Sequence, residues 1–102
     1  MKFQVLHFRK ETFPSNSISI WLAVNDISEY RHVNGQNGIV NIDNEQIGPI
    51  HIKGLWHDES GGYGISVDDD HYLSMQLLKL NKAIGEGQHI YLVLNEKPDK
   101  KH

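Results

Sequence analysis

Residues 68–96, DDDHYLSMQLLKLNKAIGEGQHIYLVLNE, switch from a helical to an extended apolar period across a glycine-flanked break, and that switch decides the fold class. Asp68, Asp69 and Asp70 supply side-chain acceptors and negative charge where a helix start leaves amide donors without partners, so one of them is the expected N-cap. Leu73, Leu77, Leu80 and Ile84 then recur at the four-and-three spacing that stacks side chains into one narrow stripe. The pattern predicts a helix over about 69–84 with one buried face. Lys79 and Lys82 lie in the last turns, where exposed carbonyls favour cations, and Gly85 can adopt the left-handed conformation that ends helices. Beyond Gly87, the run Ile90, Tyr91, Leu92, Val93, Leu94 is too short for a helix and is expected to be a strand buried on both faces, central in a sheet.

The preceding residues read as short strands and turns. In Lys2 to Arg9, Phe3 and Val5 fall on one face and Leu6 and Phe8 on the other, which suits an interior strand. From Ser17 to Val24 the alternation is strict, with Ile18, Ile20, Leu22 and Val24 inward and Ser17, Ser19, Trp21 and Ala23 outward, as in a half-buried antiparallel strand. Pro14, Ser15 and Asn16 form the turn before it, and Asn25 with Asp26 the turn after it. Ile27 to Val33 reads as a short strand or an irregular segment. Asn34-Gly35 and Asn37-Gly38 are turn dipeptides that lead into a hairpin strand, Ile39 to Ile42, and Asp43 with Asn44 suggest another tight turn. Glu45 to Ile47 and Ile50 to Trp56 read as extended, and Gly48-Pro49 between them marks a bulge or an edge. The turn formers Asp58, Glu59, Ser60, Gly61 and Gly62 join Trp56 to a strand over Tyr63–Val67 as a second hairpin. The expected fold is therefore α+β: a mainly antiparallel sheet of about six or seven short strands, curled towards a partial barrel, with one helix packed on it and a final buried strand.

A chain of 102 residues, 38% of them hydrophobic, is one domain with enough core to need no disulfide or metal staple. The expected domain is residues 1–96, followed by a short basic tail, 97–102, with Lys97, Lys100, Lys101 and His102 after Pro98. The absence of cysteine removes thiolate zinc sites and cysteine nucleophiles, and fits a reducing compartment. Met1, Lys2, Phe3 and Gln4 do not open a long apolar run, and no segment approaches membrane-spanning length, so a soluble, cytoplasmic protein is expected. A formal net charge of −3 disfavours general nucleic-acid binding.

Seven histidines have the chemistry to bind a metal or shuttle protons. His7, His32, His51, His57, His71, His89 and His102 are scattered along the chain, with no pair at helical ligand spacing and no HExxH motif, so no metal is expected. The group a fold would have to assemble is His51, His57, Asp58 and Glu59. Asp68 to Asp70 lack the spacing, the central glycine and the distal glutamate of an EF-hand, which leaves helix capping as the simpler reading. Gly61-Gly62-Tyr63-Gly64 sits in a hairpin instead of leading into a helix, and it lacks the lysine of a phosphate loop. Ser60, Ser66 and Ser74 lack a glycine-flanked elbow. No catalytic residue and no cofactor is assigned.

More informative is what the pattern leaves outside. Trp21 falls on the polar side of its strand, while Tyr30, Trp56 and Tyr63 border turns, and such aromatics anchor protein interfaces. With Asp58, Glu59, Asp68, Asp69 and Asp70 they make a candidate partner-binding set. Met75 and Leu78 point away from the helix stripe. The expected function is that of a small protein-binding module, an inhibitor or immunity-type protein that covers a basic surface such as that of a nuclease. One alternative is a small-molecule-binding or enzymatic domain with a pocket between helix and sheet that recruits His51, His57, Tyr63 or His89. Another is the subunit of a homo-oligomer that associates through an exposed sheet edge or through Met75 and Leu78.

Overall fold

The computed structural model describes residues 2–13, 15–24 and 34–94. The elements are β1 (Lys2–Glu11), β2 (Ser17–Leu22), β3 (Asn37–Ile42), β4 (Glu45–His57), β5 (Tyr63–Asp68), α1 (His71–Gly85) and β6 (Ile90–Leu94). All pairings are antiparallel, and they close a ring in the order β1-β2-β5-β4-β3-β6. The α+β class and the curling sheet are as the sequence reads, and the curl goes to closure. Turn Asn25–Asp26, segment Ile27–Val33, Pro14 and the basic tail lie outside the described residues.

Closure is uneven. β1 pairs with β6 only over Lys2, Phe3 and Gln4, and with β2 from Val5 to Glu11. Past Gln4, α1 takes the place of β6: the Asn81 side chain accepts from the Phe8 N–H and donates to the Phe8 carbonyl, each at 2.9 Å, as a neighbouring strand would. The helix thus covers the end of the ring where β1 and β5 finish and β6 begins. Lys10, opposite the buried Ile18, turns towards that end and meets Asp69 at 3.5 Å and the Ser74 hydroxyl at 3.1 Å.

The core is almost entirely aliphatic. Ile18, Ile20, Ile52, Ile65, Val67, Leu73, Leu80, Ile90 and Leu92 are essentially sealed from solvent inside the ring. Three strand readings change for identifiable reasons. A bulge between Val5 and His7 inserts one extra residue in β1, so Phe8 joins Phe3 and Val5 inside while Leu6 is left 49% exposed outside. Asn37-Gly38 is strand, not turn: a Cβ on Gly38 would come within 2.8 Å of Leu94, and the turn glycine is Gly35, at φ +82°. β6 has neighbours on both sides, as a central strand should, but only Ile90, Leu92 and Leu94 are buried, with Tyr91 and Val93 half-exposed outside. Gly48–Pro49 is a cis peptide within a continuous β4, and the ladder to β3 is bulged there, as the sequence suggested.

In α1, Leu73, Leu77, Leu80 and Ala83 are buried and Ile84 is half-buried, so the predicted stripe is displaced by one position at its end. Asp70 is the N-cap, its Oδ1 accepting from the Leu73 N–H at 2.8 Å. Gly87, not Gly85, carries the positive φ, +93°, and the Gln88 N–H bonds the Ala83 carbonyl at 2.9 Å in a Schellman stop. No helix among the described residues is long and apolar enough to cross a membrane.

Candidate functional site

The outer face of β1, β2, β5 and β4 is built in cross-strand rows, because directly opposed residues of antiparallel strands share a face. One row runs His7, Trp21, Gly64, Trp56, and the next Arg9, Ser19, Ser66, Gly54. Gly64 stands between the two tryptophans, and it is there for space: a Cβ would overlap the six-membered ring of Trp56 and the Ile20 carbonyl oxygen. Over that gap the indoles meet edge to face, with centroids 4.7 Å apart and planes at 73°. His7 adds a third ring, 5.5 Å from Trp21. The Nε1 of Trp56 is shielded from solvent and has no hydrogen-bond partner among the described residues.

The β4–β5 hairpin supplies a carboxylate beside the rings. Oδ1 of Asp58 accepts from the Ser60 hydroxyl at 2.7 Å and from the Ser60 and Gly62 N–H groups at 3.0 Å, which folds the turn around it. Its Oδ2 accepts from Trp21 Nε1 at 3.3 Å. These donors, the Ser60 hydroxyl foremost, hold the Asp58 carboxyl down at about 2, against the ordinary 3.8. Two shallow depressions flank Trp56. One, of about 230 Å³, is lined by Arg9, Glu11, Ser19, Trp21, Trp56 and Asp58. The other, of about 300 Å³, has Ser17, Gly54 and Ser66 in its lining, with Lys53 at its margin.

Of the residues singled out from sequence, the structure brings Trp21, Trp56 and Asp58 together, with the exposed Glu59 next along the turn. Tyr63 is placed otherwise: it opposes Leu22 on the inward side and packs against the core, with His57 at 6.1 Å. Asp68 to Asp70 do not join the set. They follow the far end of β5, about 17 Å along the strand, where Asp70 caps the helix, Asp69 meets Lys10 and Asp68 is exposed. Tyr30 falls outside the described residues. The sequence did not single out Gly64, Gly54, Ser19 or Ser66, because their role comes from register; a glycine interrupting the alternation of β5 was the one visible sign.

Elsewhere, His51 and His57 are both exposed, and no three His, Asp or Glu side chains converge among the described residues. The cleft between helix and sheet, about 780 Å³, lies against the β3–β4 turn and is lined by Asp43, Glu45, Lys79, Lys82, Glu86 and Gln88 among others, and by none of the histidines. Tyr72 donates to Glu45 at 3.1 Å beside it, and that bond raises the phenol pKa above its usual value. Met75 and Leu78 are 66% and 88% exposed. No family model matches this chain, and no curated protein or solved structure is significantly similar to it.

Proposed function

We propose that this chain is a protein-binding module whose recognition surface is the outer face of β1, β2, β5 and β4, centred on Trp21 and Trp56. The observation that carries the reading is the tryptophan pair itself, two large rings assembled over Gly64 on the side of the sheet away from the core. Aromatic pairs of low rotational freedom, next to small residues that leave room for a partner's side chains, have the make-up of an interface centre. Around the face stand Glu11, Asp58 and the exposed Glu59 against Arg9 and Lys53, and Arg9 lies 3.6 Å from Glu11. This balance favours a partner with a basic surface. Occlusion of such a surface, the mode of an inhibitor or immunity-type protein, is the form of action the reading supports. The acidic run Asp68 to Asp70 drops out of the recognition set, since Asp69 and Asp70 are engaged within the fold.

The test is shift mapping with a partner captured from source-cell lysate. Binding to ¹⁵N,¹³C-methyl-labelled protein is expected to move both indole N–H resonances and to leave the Met75 methyl unmoved. Movement confined to Met75 and the Leu78 methyls would place recognition on the helix and defeat the proposal.

A further inference from the structure

We propose that the depression between Trp21 and Trp56 receives an arginine side chain of the protein partner, its guanidinium plane against the indoles and its N–H edge on Asp58 Oδ2 and Glu11. The inference rests on the recognition face proposed above and names the group that the face recognises. The depression, about 230 Å³, has aromatic walls from Trp21 and Trp56 and two carboxylates, Glu11 and Asp58, in its lining. Indole faces carry negative quadrupole density and attract cations, most strongly where water is partly excluded. The two planes stand at 73° to each other, so a flat cation lying on one has the other beside it.

The carboxylate is also aimed. Asp58 Oδ1 is saturated by three donors from Ser60 and Gly62, whereas Oδ2 carries only the long 3.3 Å bond from Trp21 among the described residues. A carboxylate oxygen has room for a further charge-assisted bond. Guanidinium fits better than ammonium, because it is planar, stacks on aromatic faces and donates along an edge, whereas the lysine head is a strongly hydrated point charge. Arg9 is the chain's own competitor. It lines the same depression, yet its Nε sits 3.6 Å from Glu11 and its side chain is 64% exposed, so it occupies one carboxylate without filling the site.

The probe is arginine amide, with citrulline amide as the neutral isostere and lysine amide as the other cation, titrated at matched ionic strength into ¹⁵N-labelled protein while the two indole N–H resonances are followed. Arginine amide is expected to shift both indoles saturably over about 1–100 mM, with citrulline amide at least about fivefold weaker. Arg9→Gln should tighten arginine amide by about threefold, and Glu11→Gln should weaken it by a similar factor, with the backbone spectrum otherwise preserved. Equal binding of citrulline amide, tighter binding of lysine amide, or weaker binding in Arg9→Gln would each overturn the assignment. If arginine amide leaves both indoles unmoved while the captured partner still shifts them, the guanidinium seat fails and the recognition face stands. If the partner leaves them unmoved as well, both fail.

Discussion

The two ends of the ring are finished differently, one by the helix and the other by an aromatic face. At the helix-covered end, Asn81 bonds both the N–H and the carbonyl of Phe8, Asp70 caps α1, and Lys10 finds Asp69 and Ser74. Each end also buries a polar atom that has no hydrogen bond among the described residues, Asp69 Oδ1 beside Lys10 at the one and Trp56 Nε1 at the other, where Asp58 Oδ2 holds one long bond. What separates the ends is apolar cover: α1 buries Leu73, Leu77 and Leu80 against the ring, whereas Trp21 and Trp56 stand half-buried on its outer face.

The largest effect is expected where the helix closes its end of the ring. Leu80→Ala should cost about 2–5 kcal/mol of unfolding free energy, because Leu80 is sealed in the core, while Leu78→Ala, on the solvent side, should stay within about 0.5 kcal/mol of wild type. Reversible urea denaturation reads both, and a larger loss at Leu78 would invert the assignment of the helix faces. Next comes the spacing of the indoles. Gly64→Ala drives a methyl into Trp56 and backbone and should cost about 1–3 kcal/mol, while Gly54→Ala, whose Cβ meets nothing within 4 Å, should cost nothing measurable. Equal effects at the two glycines would mean that the tryptophan pair is not held as described.

An effect of similar size tests the polar closure. Asn81→Ala removes the acceptor of the Phe8 N–H and should cost about 1–3 kcal/mol, against less than about 0.5 kcal/mol for Glu59→Gln in the exposed turn. Hydrogen exchange at the Phe8 amide should quicken in the same variant; an unchanged rate would show that Asn81 does not serve as a substitute strand. The smallest effect is one of pH. The Asp58 carboxyl is depressed in the folded protein, so its contribution is complete above the unfolded value of 3.8 and is lost as pH falls towards about 2. Ser60→Ala, which removes the foremost donor, should raise the Asp58 pKa and flatten the acid limb between those values. NMR titration of the Asp58 carboxyl carbon measures it directly.

Where the chain's local pattern is enough, the sequence is legible. A helix cap within Asp68 to Asp70, the Leu73, Leu77 and Leu80 stripe, the Asp43–Asn44 turn and the hairpin through Asp58 to Gly62 all follow from residues adjacent along the chain. What depends on register is not. The switch from odd to even apolar positions across Phe3, Val5, Leu6 and Phe8 suits a strand buried on both faces as well as a bulged one, so the extrusion of Leu6 is settled only by the pairing with β2. Trp21 was readable as outward-facing, but its meeting with Trp56 requires Gly64 to pair with both, which is fixed only once three strands align. Proximity along the chain also misled: Asp58 and Asp68 are separated by a single strand in sequence, and that strand carries them to opposite ends of the ring. Asn81 was missed because its partner, Phe8, lies 73 positions away.

Filling one surface at a time decides between the tryptophan face and the helix as the seat of recognition. Gly54 lies on the outer face in open space, so Gly54→Lys should fold as wild type while placing a long cation in the trough beside Trp56. Leu78→Lys does the same on the exposed side of α1. Titrated against the captured partner, Gly54→Lys should weaken binding by at least about tenfold, roughly 1.4 kcal/mol, and Leu78→Lys should leave it unchanged. The reverse order, with Leu78→Lys disruptive and Gly54→Lys neutral, would place recognition on the helix.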